Sequence, residues 1–216
     1  MDRLSANNIS YPLVIAIHSA FILVMEQVNG IKAIHFKTRS AWRQWLSKNH
    51  DKEKAVWLIL HNKNSEAAGM RLEDAVMEAL CFGWIDSKAM KRDEVSRYQY
   101  FCPRKHGSNW SKVNRDRVER LIQDGLMTPA GEALIEIAKK RGTWDAMVEV
   151  ENEVIPEDLQ KRFDRNKKAL KNFLAFAPSS RRVILQWILH AKRPDTRKVR
   201  IEKTVMLAAK NLKAYP

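Results

Sequence analysis

The chain has 216 residues, 45% hydrophobic and 30% charged, with seven Gly and seven Pro. That suits one large or two small globular domains and excludes collagen-like, low-complexity and disordered classes. The net charge of +14 is uneven: residues 156–216 hold 16 Lys/Arg against 5 Asp/Glu, so +11 of it lies in the C-terminal quarter. Such asymmetry points to a polyanion, nucleic acid or anionic lipid, facing one part of the molecule, or to a solvated basic helix face. Cys81 and Cys102 are the two cysteines, too few for a disulfide framework, and read as reduced thiols of a cytoplasmic protein.

Residues Tyr11 to Met25 form an apolar run of 15, shorter than the ~20 of a membrane span and without a clear signal-peptide cleavage site. Met25 is expected to be the true start; if residues 1–24 are translated, they form a buried helix, an interfacial anchor or an uncleaved signal-like segment. Residues 1–33 are read as an extension. Residues 34–38 (IHFKT) predict a short strand, and Ser40 a cap for a helix through Asn49 with Trp42, Trp45 and Leu46 on one face. Residues 55–60 (AVWLIL) predict a strand, and Leu72, Ala75, Val76, Ala79 and Leu80 a helix over 71–81, ended by Gly83.

WIDSKAM and SRYQYF, joined by KRDEV, predict an antiparallel hairpin stopped by Pro103. Ser108 or Asn109 would cap a helix from Trp110 to Gln123 with Val113, Val118, Leu121 and Ile122 inward. Thr128-Pro129 opens another helix to Lys140, ended by Gly142. Glu149 to Pro156 reads as an acidic connector. Beyond it helices open at Pro156, Asn166, Pro178 and after Pro194, the last with an apolar stripe of Ile201, Val205, Ala208 and Leu212. The expected fold class is α+β, a small antiparallel sheet with packed helices over 34–148, followed by an all-helical unit over 149–216.

The segments WRQWLSKN (42–49), ALCFGWIDS (79–87), Pro103-Arg104, WSKVN (110–114), MTPAG (127–131) and AKRPDTRKVRI (191–201) resemble, in order, the YdeI/OmpD-associated family, also labelled bacteriocin-protection proteins. The resemblance covers roughly residues 36–213. It implies a stress- or bacteriocin-tolerance role and a C-terminal helical domain of the OmpD-associated type. It carries no catalytic residues across.

The best candidate site lies between Asp86 and Asn114. Arg104 and Lys105 precede a predicted helix N-terminus, whose free N–H groups favour anions. Asp86 would orient Arg104 through a bidentate pair, with Trp110, Ser111 and Asn114 as an aromatic wall and hydrogen-bonding groups. The alternative is a structural ion pair beside a core Trp. A second candidate is the basic stripe Arg193, Arg197, Arg200 and Lys203, suited to weak polyanion contacts, nucleic acid included. Asp195 and Glu202 would instead pair with cations of the same helix. The chain has no HExxH, GxSxG, P-loop or GxGxxG motif, so no cofactor or metal is expected. A non-catalytic binding protein is the leading expectation, with a nucleic-acid-binding protein and an enzyme of unassigned chemistry behind it. The expected partner is a small anion or a protein. The expected location is cytoplasmic, or envelope-associated if residues 1–24 are translated.

Overall fold

The computed structural model describes residues 9–10, 25–62 and 69–214. The apolar run up to residue 24, and the question of a start at Met25, lie outside them. Two compact units divide the chain. One comprises the residues up to Ser108 together with Val113–Arg141; the other comprises Asn109–Lys112 and the residues from Gly142 onward.

The first unit is built on a six-stranded sheet: β1 (Ile9–Ser10), β2 (Met25–Val28), β3 (Ile31–Ile34), β4 (Val56–His61), β5 (Trp84–Lys91) and β6 (Ser96–Pro103), in the order β1-β2-β3-β4-β6-β5. The sheet is mixed, not purely antiparallel as expected. β3 and β4 run parallel, because helix α1 (Arg39–Asn49) carries the chain back between them. β2 and β3 form a hairpin the sequence reading did not include. Asn29 and Gly30 turn it with φ of 52° and 75°, the paired positive values of a type I′ turn. Ile34 therefore ends a strand instead of opening one. The cap of α1 is Thr38, whose hydroxyl accepts from the Ala41 amide at 3.2 Å, two residues earlier than expected.

Helix α2 (Leu72–Cys81) leads through Gly83, at φ 73°, into the β5–β6 hairpin, as the spacing predicts. Helix α3 (Lys112–Gln123) begins two residues later than expected and leaves Trp110 outside it. Val118 and Leu121 share its buried face. Val113 and Ile122, expected inward, fall to the flanks and are exposed. Helix α4 (Pro129–Lys140) follows. Trp42, Leu46, Leu58, Leu80 and Phe101 fill the core on one side of the sheet, with Trp42 donating its indole N–H to Ala75 O at 3.0 Å. Val28, Ala33, Trp57, Ile59 and Tyr98 form a second apolar cluster, so β4 is buried along most of its length. Here Glu26 pairs with Arg92 and accepts from the Tyr98 hydroxyl.

The second unit is helical: α5 (Val148–Glu151), α6 (Glu157–Asp164), α7 (Lys167–Ala175), α8 (Pro178–Leu189) and α9 (Pro194–Ala209). Leu159, Phe163, Phe173, Ile184, Ile188, Ile201 and Ala208 are its core. Asn166 caps α7 through the Ala169 amide at 3.0 Å. α8 stops at Leu189, and His190 follows it as the C-cap. Leu212, expected on the apolar stripe of α9, lies past the helix end and is exposed. Thr204 is buried there instead, its hydroxyl turned to Arg200 O at 2.8 Å.

Candidate functional site

Asp86, Arg104, Lys105 and Asn114 belong to the α+β unit, whereas Trp110 and Ser111 belong to the helical unit. In the α+β unit, Asp86 is half-buried on β5. Its carboxylate accepts from Gln99 Nε2 on β6 at 3.1 Å, in place of the bidentate Arg104 pair that the sequence suggests. Burial pushes the Asp86 carboxyl up from its ordinary range, while a bond to its own backbone amide and then the charge of Arg117 pull it partly back. Arg117, one turn beyond Asn114 on α3, donates Nη1 to Asn114 Oδ1 at 3.0 Å and stands 3.9 Å from Glu73. Its Nε is buried and meets no acceptor among the described residues. Asp86, Gln99, Asn114 and Arg117 thus form one polar cluster. Sequence reasoning reached two of the four. Asn114 and Arg117 stand three residues apart on a helix, the spacing that would have suggested the third.

Arg104 is buried at the open end of the β5–β6 hairpin, where its amide donates to Gly83 O at 2.9 Å. Burial lowers its guanidinium to about 10. Lys105 is exposed. The helix N-terminus expected after them lies two residues further along the chain. α3 starts at Lys112, whose amide donates to Glu151 Oε1 at 2.5 Å, so that N–H is already occupied by a carboxylate. Trp110 is buried against Trp144 at a ring separation of 5.0 Å and forms no open wall; Ser111 is exposed. A shallow depression of about 380 Å³ lies at the turn end of the same hairpin, lined by Asn62, Met90, Asp93, Ser96 and Arg97, and includes no predicted site residue.

In the helical unit the basic stripe is largely engaged. Arg197 makes a two-pronged bond to Asp158 on α6, at 2.6 and 2.9 Å. Arg200 donates to Trp187 O and lies 5.1 Å above the Trp187 ring, and Lys203 lies 5.3 Å from the same ring. Glu202 pairs with Arg162 at 3.4 Å, so the carboxylates of this bundle reach between helices more than along one. Arg193 stands at the N-cap position of α9 and is exposed. Among the described residues no group of three His, Cys, Asp or Glu side chains is placed to hold a metal ion, and no helix is long and apolar enough to cross a membrane.

A mixed-sheet α+β unit followed by a compact helical bundle is the class that fold and site define. Residues 34–134 match the model of a domain of unknown function (DUF8412), and residues 153–211 match that of the family described as "Bacteriocin-protection, YdeI or OmpD-Associated". The helical unit is thus similar, over residues 153–211, to the YdeI/OmpD-associated family. Of the likeness read over residues 36–213, the part over 153–211 is matched by that family, while residues 34–134 match a domain of unknown function. Comparisons with curated proteins and with solved structures found no match.

Proposed function

We propose that this is a cytoplasmic, non-catalytic binding protein of bacteriocin or stress tolerance, whose α+β unit takes a small anion at Asp86, Gln99, Asn114 and Arg117, with Arg104 and Lys105 supplying charge nearby. One observation carries the reading: Arg117 Nε is a buried donor that meets no acceptor among the described residues, beside a half-buried Asp86 carboxyl. A buried N–H left open costs about 1–3 kcal/mol, so such a group in a folded protein asks for a partner. A carboxylate or phosphate oxygen would fill it, while Asn114 and Gln99 would supply amide donors from either side. The family match over residues 153–211 supports the physiological context.

The test is a thermal-shift series with inorganic phosphate and short dicarboxylates, on wild type and Arg117→Gln. A ligand at a hundred times its Kd adds about 2.7 kcal/mol to stability. The expected result is a saturable rise in Tm that Arg117→Gln removes. No rise with any of these anions, or an equal rise in the variant, overturns the proposal.

A further inference from the structure

We propose that the α8–α9 face of the helical unit docks on the surface of an anionic lipid bilayer. The face starts from three exposed aliphatic side chains that flank one aromatic ring and its cations. Val183 on α8 and Val199 and Met206 on α9 are 40%, 61% and 53% exposed. On α9 the positions 199, 203 and 206 follow an i, i+4, i+7 spacing, so Val199, Lys203 and Met206 share one stripe. On α8 Val183 stands one turn before Trp187.

Trp187 joins the two helices. It is half-buried, with the Arg200 guanidinium 5.1 Å and the Lys203 ammonium 5.3 Å from its ring centre. Arg200 is held in this place by its bond to the Trp187 carbonyl. The result is an aromatic ring at the rim of the bundle, cations over it, and aliphatic side chains on both flanks. Apolar groups with Trp and Lys/Arg alternating over a few ångströms are the composition of a surface that lies in a headgroup layer. The aliphatics enter the acyl boundary while the amphipathic cations remain with the phosphates.

Charge selects the lipid. Residues 156–216 carry a net +11, which complements a leaflet rich in acidic headgroups. Glu202, beside the stripe, is turned to Arg162 at 3.4 Å. A nucleic acid would use the same cations, yet it offers nothing to Val183, Val199 and Met206, and the Trp187 ring is already covered by two cations in place of an open stacking face. The aliphatic contribution therefore separates the two partners.

The experiment is flotation of the full chain with phosphatidylcholine vesicles made with or without phosphatidylglycerol. It uses wild type, Lys203→Glu, and the double variant Val199→Ser, Met206→Ser, each checked for native circular dichroism. All three positions are exposed, so folding should survive. The expected result is partition onto the acidic vesicles at least about tenfold above the neutral ones, falling about tenfold in each variant. Absence of partition onto acidic vesicles overturns the proposal. So does partition that the double serine variant leaves unchanged, or that duplex DNA displaces in full while that variant binds like wild type, since the face would then be a phosphate-binding surface alone. Arg117→Gln, in the other unit, should bind vesicles as wild type does, which keeps this test apart from that of the anion site.

Discussion

Gly131 offers the sharpest geometric test of the α+β unit. It sits in the first turn of α4 against the end of α2. A Cβ built there would stand 2.4 Å from the Cys81 carbonyl oxygen, 2.9 Å from its carbon and 2.7 Å from Met127 Cε. Met127 can swing aside. The Cys81 carbonyl is fixed, because it accepts from the Thr128 amide at 3.2 Å and the Thr128 hydroxyl at 2.6 Å. In Gly131→Ala the two helices must part, which costs about 1–3 kcal/mol as overpacking and about 1 kcal/mol more for each Thr128 bond that weakens. Alanine's better helix propensity returns about 1 kcal/mol. The net is about 2 kcal/mol, a fall in Tm of about 4–8 °C at 2–4 °C per kcal/mol for a protein of this size. Differential scanning fluorimetry measures it, with Gly107→Ala as control. Nothing stands within 4 Å of a Cβ at Gly107, so its Tm should stay within about 1 °C of wild type. A wild-type Tm for Gly131→Ala would refute the packing of α2 on α4.

Burial favours the protonated form of Asp86 in the native state, so its ionisation costs stability as pH rises past the ordinary aspartate range. Asp86→Asn should therefore be at least as stable as wild type at pH 7, with the difference closing below about pH 4, as read from urea midpoints across pH. Arg197→Glu should lower Tm and Lys203→Glu should not, since only Arg197 is bonded to a carboxylate. Arg197 holds Asp158 below its usual range, so the stability it lends is present above about pH 4 and disappears as pH falls through the native value; the pair is partly exposed and worth about 1 kcal/mol or less. Tyr98→Phe should cost about 1–3 kcal/mol in chemical denaturation, because it strips a donor from the buried Glu26. Burial first, and then Glu26, push the Tyr98 phenol up to about 12, so it should ionise late in an alkaline absorbance titration of wild type.

The elements with strong local signals were readable from sequence. The apolar spacing of 71–81, Gly83 after it, the β5–β6 alternation and Thr128-Pro129 each specify their structure within a few residues. The shared motifs mostly prove to be packing devices: Trp42 in the core, Gly131 against α2, and Arg200 over Trp187. The β2–β3 hairpin is hidden in the sequence although Asn29-Gly30 is a strong turn signal, because the apolar run that ends at Met25 merges with the first strand. The start of α3 was misplaced because Ser108 and Asn109 look like caps, and nothing local announces that Glu151 meets the Lys112 amide. The site was half legible for the same reason. Asp86 stands out as a carboxylate after Trp84-Ile85 and Asn114 as part of the WSKVN segment, but their partners Gln99 and Arg117 are set by strand register and helix phase, which only the fold supplies.

The most direct test of anion binding at this cluster is an NMR titration of the side-chain amides of Asn114 and Gln99 with inorganic phosphate, in wild type and in Arg117→Gln. Anion capture predicts saturable shifts of both amides in wild type that vanish in the variant. Unmoved amides, or the same shifts in both proteins, would make Asp86, Gln99, Asn114 and Arg117 a structural polar cluster and contradict the assignment.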